Sequence, residues 1–234
     1  MARATRINRS ELTKLEIMRH ATRCFLEDGY SNTSVKAISK ALNMSPGNLT
    51  FHYPTKEHML AEVVAQLCEF QEKILEYEAQ KGYDPATVIG FELMTVAAAC
   101  ADSEIARDFF ISTFQSELCR SYLFRSHVAR AKEIFAPQGP DWTDQQFQEA
   151  EVLVMGLQYA TVIPIDTQIA MESRVSGALN QILSIYNVDP QTCQREIEAV
   201  LTMDYRSLGK RVLEEFKKYA QKSSEQALVE LITG

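Results

Sequence analysis

Residues 34–53 constrain the fold most, because they predict two short helices joined by a tight turn. Apolar residues of 34–42 recur on one helical face. Asn43 follows them, and asparagine is the non-glycine residue best suited to a left-handed turn. Ser45 and Pro46 then restart a helix, serine as its N-cap and proline at its first position. The pattern predicts a helix-turn-helix with a short second helix.

The rest of the chain also predicts helices. Glycine and proline number only 9 and 7 in 234 residues, and 46% of the residues are apolar, enough for a sizeable core. Two stretches, Thr13–Glu16 and Thr143–Gln146, fit capping boxes at helix starts. The first helix is expected to start near Ser10 or Thr13. We expect further helices to begin near Thr55, Asp84, Asp102, Asp166, Asp189 and Asp204.

These signals predict an all-α fold. We expect an N-terminal three-helix head over residues 1–55 and a larger helical body over residues 56–234, with no flexible linker between them. The helices of the body are separated by helix-breaking residues, such as the loop at 137–140 and Pro164.

Charge is unevenly distributed between these parts. The formal net charge is −7, which taken alone disfavours nucleic-acid binding. Residues 1–60, however, hold nine Lys/Arg against five Asp/Glu, which gives +4 and leaves −11 for the remainder. A basic head on an acidic body indicates an end that binds a polyanion, although a chance fluctuation of surface charge is the alternative.

Several classes of protein are disfavoured by absent signals. The basic N-terminus has no apolar segment behind it, and no stretch of about 18 apolar residues could span a membrane, so we expect a cytoplasmic protein. The five cysteines stand singly, which favours buried side chains over a disulfide or metal framework. We expect no cofactor and no metal.

The polar residues of the sequence form no familiar enzyme motif. No nucleophile elbow, phosphate loop or metalloprotease helix is present. His58 and Glu62, four residues apart, could share a metal, but their position beside Lys56 favours a solvated face. A helical enzyme is therefore the weaker alternative, and a helical interaction protein that uses the helix-turn-helix as a scaffold is another.

Residues 17–60 resemble the TetR family of regulators. The stretch 33–42 is similar to the family's second helix, 45–53 to its recognition helix and 54–60 to its entry into helix four. Two positions depart from the family pattern. Asn43 stands where glycine is usual, and Thr50 stands where a tyrosine that contacts a phosphate is usual, which puts the details of DNA contact in question.

The resemblance implies a DNA-binding transcriptional regulator, a homodimer released from a palindromic double-stranded operator by a small-molecule effector. Polar or basic side chains would hold phosphates, and Gly47 would let the backbone approach one. Ser45, Asn48 and Phe51 would approach base edges. The asparagine would hydrogen-bond adenine, and the phenylalanine ring would contact a thymine methyl. The alternatives without DNA contact are that Lys36 and Lys56 are ordinary surface charges, that His52 is packed or solvated, and that Phe51 belongs to the core. The expected phosphate contacts are Ser34, Lys36, Thr50, His52 and Lys56.

Small residues in two late helices predict a dimer seam. Gly156 and Ala160 lie four residues apart, as do Ser173 and Gly177, and such stripes let another helix approach closely. By resemblance, the family pairs two late helices of each subunit in a four-helix seam. Tight packing within one subunit is the alternative.

The middle helices are rich in aromatic residues and methionine, and the resemblance places an effector pocket there. The alternative is an aromatic core without a ligand, which helical spacing of aromatics usually indicates. Candidate lining residues are Phe91, Met94, Phe110, Phe114, Met155 and Tyr159, with Glu117, His127 and Gln158 as polar groups.

Overall fold

The computed structural model describes residues 9–165 and 168–233, and this part of the chain is helical without a strand, as the sequence predicts. None of its helices is long and apolar enough to cross a membrane. The helices are α1 (Arg9–Glu27), α2 (Val35–Ala41), α3 (Pro46–His52), α4 (Lys56–Gln80), α5 (Pro85–Asp102), α6 (Glu104–Gln115), α7 (Glu117–Phe135), α8 (Asp144–Val162), α9 (Met171–Ile185), α10 (Pro190–Thr202) and α11 (Tyr205–Thr233).

Most of the helix starts follow the predicted caps. The Asp84 and Asp189 carboxylates each accept a hydrogen bond from backbone N–H groups of the helix that follows, α5 and α10. Thr143 and Gln146 form the predicted capping box at the start of α8. These short-range bonds satisfy N–H groups that have no partner within the helix.

At three predicted helix starts the first helical residue or its cap differs from the expected one or lies outside the described residues. Helix α1 begins at Arg9, which agrees with the expected start near Ser10 and not with Thr13, whose hydroxyl donates to the Arg9 carbonyl at 2.9 Å. Asp102 ends α5 instead of opening α6, whose N-cap is the next residue, Ser103. Asp166 lies outside the described residues, and α9 begins at Met171.

Two apolar clusters hold the helices together. The first joins α1 through α4 to α6, α7 and α11, and it buries Phe25, Leu49 and Phe216. The second lies among α5, α7, α8, α9 and α10, with Leu179 and Tyr186 at its centre. Because the first cluster runs from α1 into α6 and α11, the helix-turn-helix is packed directly on the helices behind it.

The cysteines behave as the sequence predicts. All five thiols are free, and four of them are buried while Cys24 is half-buried. Burial raises the pKa of Cys68 to about 11 and that of Cys100 to about 12, so both stay protonated and unreactive at neutral pH.

One glycine sets the distance between α5 and α11. A Cβ atom at Gly209 would lie 2.8 Å from the backbone oxygen of Thr95, closer than real Cβ contacts allow. A backbone atom cannot turn aside as a side chain can. Glycine at this position therefore lets α11 lie against α5, where both helices border the cavity described below.

Candidate DNA interface and effector cavity

The helix-turn-helix has the predicted local geometry. Asn43 adopts a left-handed backbone, with φ of 51°, between α2 and α3. The Ser34 and Ser45 hydroxyls accept bonds from the backbone N–H groups three residues on, each at 3.1 Å, and so cap the two helices. Pro46 stands in the first turn of α3.

The short helix α3 has one buried and one exposed face. Leu49 and Tyr53 are buried in the first apolar cluster. Phe51 is 79% exposed, which excludes the core alternative for this side chain. Ser45, Gly47, Asn48 and Thr50 are exposed too, whereas His52 is half-buried with its ring 5.3 Å from that of Phe51. The structure thus gathers the predicted base-reading residues on one open face.

The hydroxyl of Thr50 is turned toward its own helix. It donates to the Gly47 carbonyl at 3.2 Å, a bond that the sequence analysis did not anticipate. Lys36, in contrast, is an exposed side chain on α2. Contact of Thr50 and Lys36 with phosphate stays a prediction. For Thr50, it requires the hydroxyl to exchange its bond to the Gly47 carbonyl for one to the phosphate.

Lys56 has a structural role that the sequence does not reveal. Its ammonium donates to the carbonyls of Tyr30 and Thr33, at 2.8 and 2.9 Å, and lies 3.9 Å from the centre of the Tyr30 ring. Burial lowers the pKa of this half-buried lysine. The side chain fastens the loop between α1 and α2 to the start of α4, so phosphate binding is at most a second role.

The residues weighed as a metal pair have other partners. The His58 ring lies 2.9 Å from the Thr55 hydroxyl, while Glu62 accepts from the Tyr53 hydroxyl at 2.8 Å and pairs with Lys14 at 3.0 Å. Nowhere in the described ranges do three His, Cys, Asp or Glu side chains group as metal ligands would. These bonds fix the end of the recognition helix against α4 and α1.

The loop between α1 and α2 also contacts the body. Asp108 of α6 accepts a hydrogen bond from the Ser31 amide at 2.8 Å and a second from the Ser31 hydroxyl. Neither residue belongs to a motif, so no sequence signal predicts this contact across 77 positions.

Two adjoining cavities lie behind the helix-turn-helix. We call the space between α4, α5 and α11 the outer cavity, and the space between α5, α6, α7 and α8 the inner cavity. Both are bordered by the same residues at their junction, among them Gln71, Glu92 and Phe110. The predicted residues that line one or both are Phe91, Phe110, Phe114, His127 and Gln158.

Four predicted pocket residues line neither cavity. Met94 is buried in the second apolar cluster, and Glu117 is an exposed residue in the first turn of α7. Met155 and Tyr159 pack against the first cluster, with the Tyr159 ring 5.4 Å from that of Phe114. Helical spacing did not distinguish these core positions from cavity positions.

The inner cavity has a polar end. Arg130 pairs with one oxygen of Glu92 at 3.0 Å, and the other oxygen of Glu92, Oε1, is buried with no partner. The Gln158 oxygen Oε1 and His127 Nδ1 are also buried without a hydrogen bond, and His127 Nδ1 lies 3.7 Å from Glu151 Oε2. Burial lowers the pKa of His127 to about 3, so its imidazole is neutral at physiological pH.

The predicted seam residues form an open face. A Cβ atom at Gly156 or Gly177 would meet nothing within 4 Å, and Ala160 and Ser173 are exposed. Packing within one subunit therefore does not explain these small residues. Two apolar neighbours on α8 are exposed as well, Val152 at 62% and Leu153 at 60%.

Comparison with known proteins places the helix-turn-helix in a family. The family model described as "Bacterial regulatory proteins, tetR family" matches residues 17–63. The match runs from the middle of α1 through α2 and α3 into the beginning of α4, the part in which the sequence resemblance was found. Residues 17–63 therefore carry the helix-turn-helix of this family.

A curated relative and a solved structure extend the comparison. UidR of Escherichia coli K12, a helix-turn-helix-type transcriptional regulator, is 34% identical over 67 residues, which cover 26% of this chain and 34% of UidR. The match thus spans about a third of that relative's length. The structure of RolR in complex with resorcinol aligns with 82% of this chain and 96% of RolR, at 19% identity and a TM-score of 0.64. Most of the chain therefore shares the fold of RolR.

Proposed function

We propose that this chain is a TetR-family regulator, a homodimeric repressor that binds a palindromic operator and leaves it when a small effector binds. The observation that carries the DNA-binding part is the open outer face of α3, held by the buried Leu49 and Tyr53. A short helix anchored this way can enter a major groove while α2 braces it.

The roles of individual DNA contacts follow from their chemistry. Asn48 can bond adenine with both atoms of its amide, and the exposed Phe51 ring can contact a thymine methyl. Lys36 supplies an exposed positive charge for a phosphate. Ser34 and Ser45 already accept cap bonds but keep their hydroxyl protons to donate. Ser34, Gly47, Thr50, His52 and Lys56 complete the proposed interface.

Dimerisation through α8 and α9 is supported by their open face. The exposed Val152 and Leu153 are large apolar side chains that a partner helix would cover. Gly156 and Gly177 lie where nothing from the same chain approaches, so a second backbone could come close. A two-fold axis between the bodies would place the two heads on half-sites about one helical turn apart, or a multiple of it.

An effector in the body is supported by the paired cavities. They lie among the helices behind α2 and α3, and they combine an apolar wall with a few polar groups. RolR, which shares the fold, was solved with resorcinol, a small aromatic diol. The regulator would act in the cytoplasm, where its operator lies.

Selection from random duplex DNA tests the proposal. We expect the wild-type protein to enrich a palindromic motif, and its affinity for that motif to fall steeply with salt because neutralised phosphates release counterions. Enrichment of no motif, or of an asymmetric one bound by a monomer, would contradict the proposal. A scrambled duplex of the same composition serves as control.

A further inference from the structure

We infer that the cavity selects an uncharged ligand with an apolar body and hydrogen-bond donors, such as a pair of hydroxyl groups, at one end. This inference rests on the proposed function, since it names the chemical class of the effector. Its basis is the set of polar atoms that the inner cavity leaves without partners.

The outer cavity accepts the apolar body. Phe70, Ile74, Val88 and Phe91 belong to its wall, which is almost wholly hydrocarbon. The hydroxyl of Thr95, a polar exception, donates to the carbonyl of Glu92 in its own helix at 2.9 Å. A polar group placed here would lose its hydration without gaining a partner, so this space favours an apolar chain or ring.

The polar end presents acceptors. Glu92 Oε1 and Gln158 Oε1 are both buried without a hydrogen bond. The hydroxyls of Thr113 and Thr161, which also line the inner cavity, donate to carbonyls of their own helices, at 2.9 and 2.7 Å. Their protons are therefore committed, and what remains toward the cavity is oxygen lone pairs. A ligand that satisfies these four oxygens must bring the donors.

The charges of the cavity exclude an anion. Arg130 is its cationic side chain, and Glu92 already neutralises it at 3.0 Å. His127 is neutral because burial lowers its pKa to about 3, and Glu151 behind it is held toward its protonated form, since burial raises its pKa. A ligand carboxylate would face the free oxygen of Glu92 with no uncompensated positive charge among the lining residues.

A ligand cation is also disfavoured. The free oxygen of Glu92 would attract it, but the same carboxylate is bonded to the Arg130 guanidinium, which would repel a second positive charge. Neutral hydroxyl groups satisfy the free oxygens of Glu92 and Gln158 without either conflict.

The test compares three probes that share an eight-carbon tail: octane-1,2-diol, octanoate and octylamine. Binding to the full-length protein is measured by calorimetry without DNA, and release from the selected operator is measured separately by fluorescence anisotropy. We expect the diol to bind at least tenfold more tightly than octanoate or octylamine. Tighter binding of either charged probe, or binding of none at millimolar concentration, would overturn the inference.

Two variants test the residues. Gln158→Met removes an acceptor at similar size and should weaken diol binding about five- to tenfold, the effect of one hydrogen bond, whereas Gln148→Met on the exposed face of α8 should not. Glu92→Gln leaves Arg130 uncompensated, so octanoate should gain affinity relative to the diol. Unchanged preference in folded Glu92→Gln would contradict the charge argument.

The two measurements separate the inference from the proposed function. If the operator is bound specifically but the diol is not bound, the ligand class is wrong and the DNA-binding regulator stands. If the diol is bound with the expected preference but no palindrome is selected, the cavity chemistry stands and the repressor is wrong.

Discussion

Asp108 and Phe110 lie two residues apart on α6, and they face different parts of the molecule. The Asp108 carboxylate is bonded to Ser31 in the loop that precedes the helix-turn-helix, while Phe110 borders both cavities. A ligand that displaces Phe110 therefore acts on the same helix that holds the loop. Such a rigid element can bias the position of the DNA-binding head from the cavity.

Asp108→Ala should uncouple effector from DNA. The variant removes both acceptors of Ser31, so the loop loses its bonds to α6 while the cavity keeps its lining. Effector affinity should change little, and the loss of DNA affinity on effector binding, ordinarily about 5–150-fold, should shrink toward none. Operator affinity with and without saturating effector is the measurement. Glu104→Ala, 93% exposed on the same helix, is the control, and equal coupling in both variants would exclude this route.

Base reading and phosphate binding should separate in two variants of the head. Asn48→Ala should change the base preferred at one position of each half-site, at a cost of about 1–3 kcal/mol for the original base. Lys36→Ala should weaken all sequences alike and reduce the salt dependence by about one unit of slope. Selection and salt titrations with both proteins measure this. A changed sequence preference in Lys36→Ala would reverse the assignments.

Lys56→Ala is a poor test of phosphate binding, because it should also loosen the fold. The substitution leaves the carbonyls of Tyr30 and Thr33 without this donor and removes a cation from the Tyr30 ring. We expect a lower melting temperature together with weaker DNA binding, in contrast to Lys36→Ala, which should melt like the wild type. Calorimetry of the two variants without DNA decides between a structural and a purely DNA-contacting lysine.

The predictable part of the structure is local in sequence. The turn at Asn43 and the cap at Ser45 follow from residues within three or four positions of each other, and the structure confirms them. Adjacent capping candidates are less certain, since Asp102 and Ser103 both suit the position and the structure uses the second. A difference of one residue cannot be resolved from side-chain type alone.

Contacts between distant residues could not be predicted. Glu92 pairs with Arg130 and Asp108 with Ser31 only because the packing of helices brings them together, and nothing in either local sequence records the partner. Helical periodicity also does not distinguish residues that line the cavity from residues that fill the core. Met94 and Phe91 are three residues apart on α5, yet the first is in the core and the second lines a cavity.

Association through α8 and α9 should respond to bulk at the open glycines. Gly156→Leu fills space that is empty in one subunit, so we expect it to weaken the dimer by about 1–3 kcal/mol, the usual effect of overpacking. Gly209→Ala is the matched contrast, because it should lower stability through contact with the Thr95 carbonyl inside each subunit. Sedimentation equilibrium measures the dimer and thermal melting measures the stability of each subunit, so together they distinguish the two variants. A Gly156→Leu protein as dimeric as the wild type would place the seam elsewhere.

Acid should destabilise the protein through His127. Burial holds the pKa of this imidazole at about 3 in the folded protein, against about 6.5 in an unfolded chain. Between these values the unfolded state binds more protons, so stability falls as pH falls below about 6.5, by at most about 1.4 kcal/mol per pH unit. Glu151 opposes the trend, because its raised pKa favours protonation in the folded state.

The His127→Gln variant isolates the contribution of this imidazole. The free energy of unfolding, measured by urea titration between pH 7 and pH 5, should fall more steeply for the wild type than for His127→Gln, because the glutamine takes up no proton when the chain unfolds. His58→Gln, at an exposed position, should follow the wild type. Parallel pH profiles for the wild type and His127→Gln would mean that the imidazole titrates normally in the folded protein, and the neutral cavity wall inferred from its burial would be wrong.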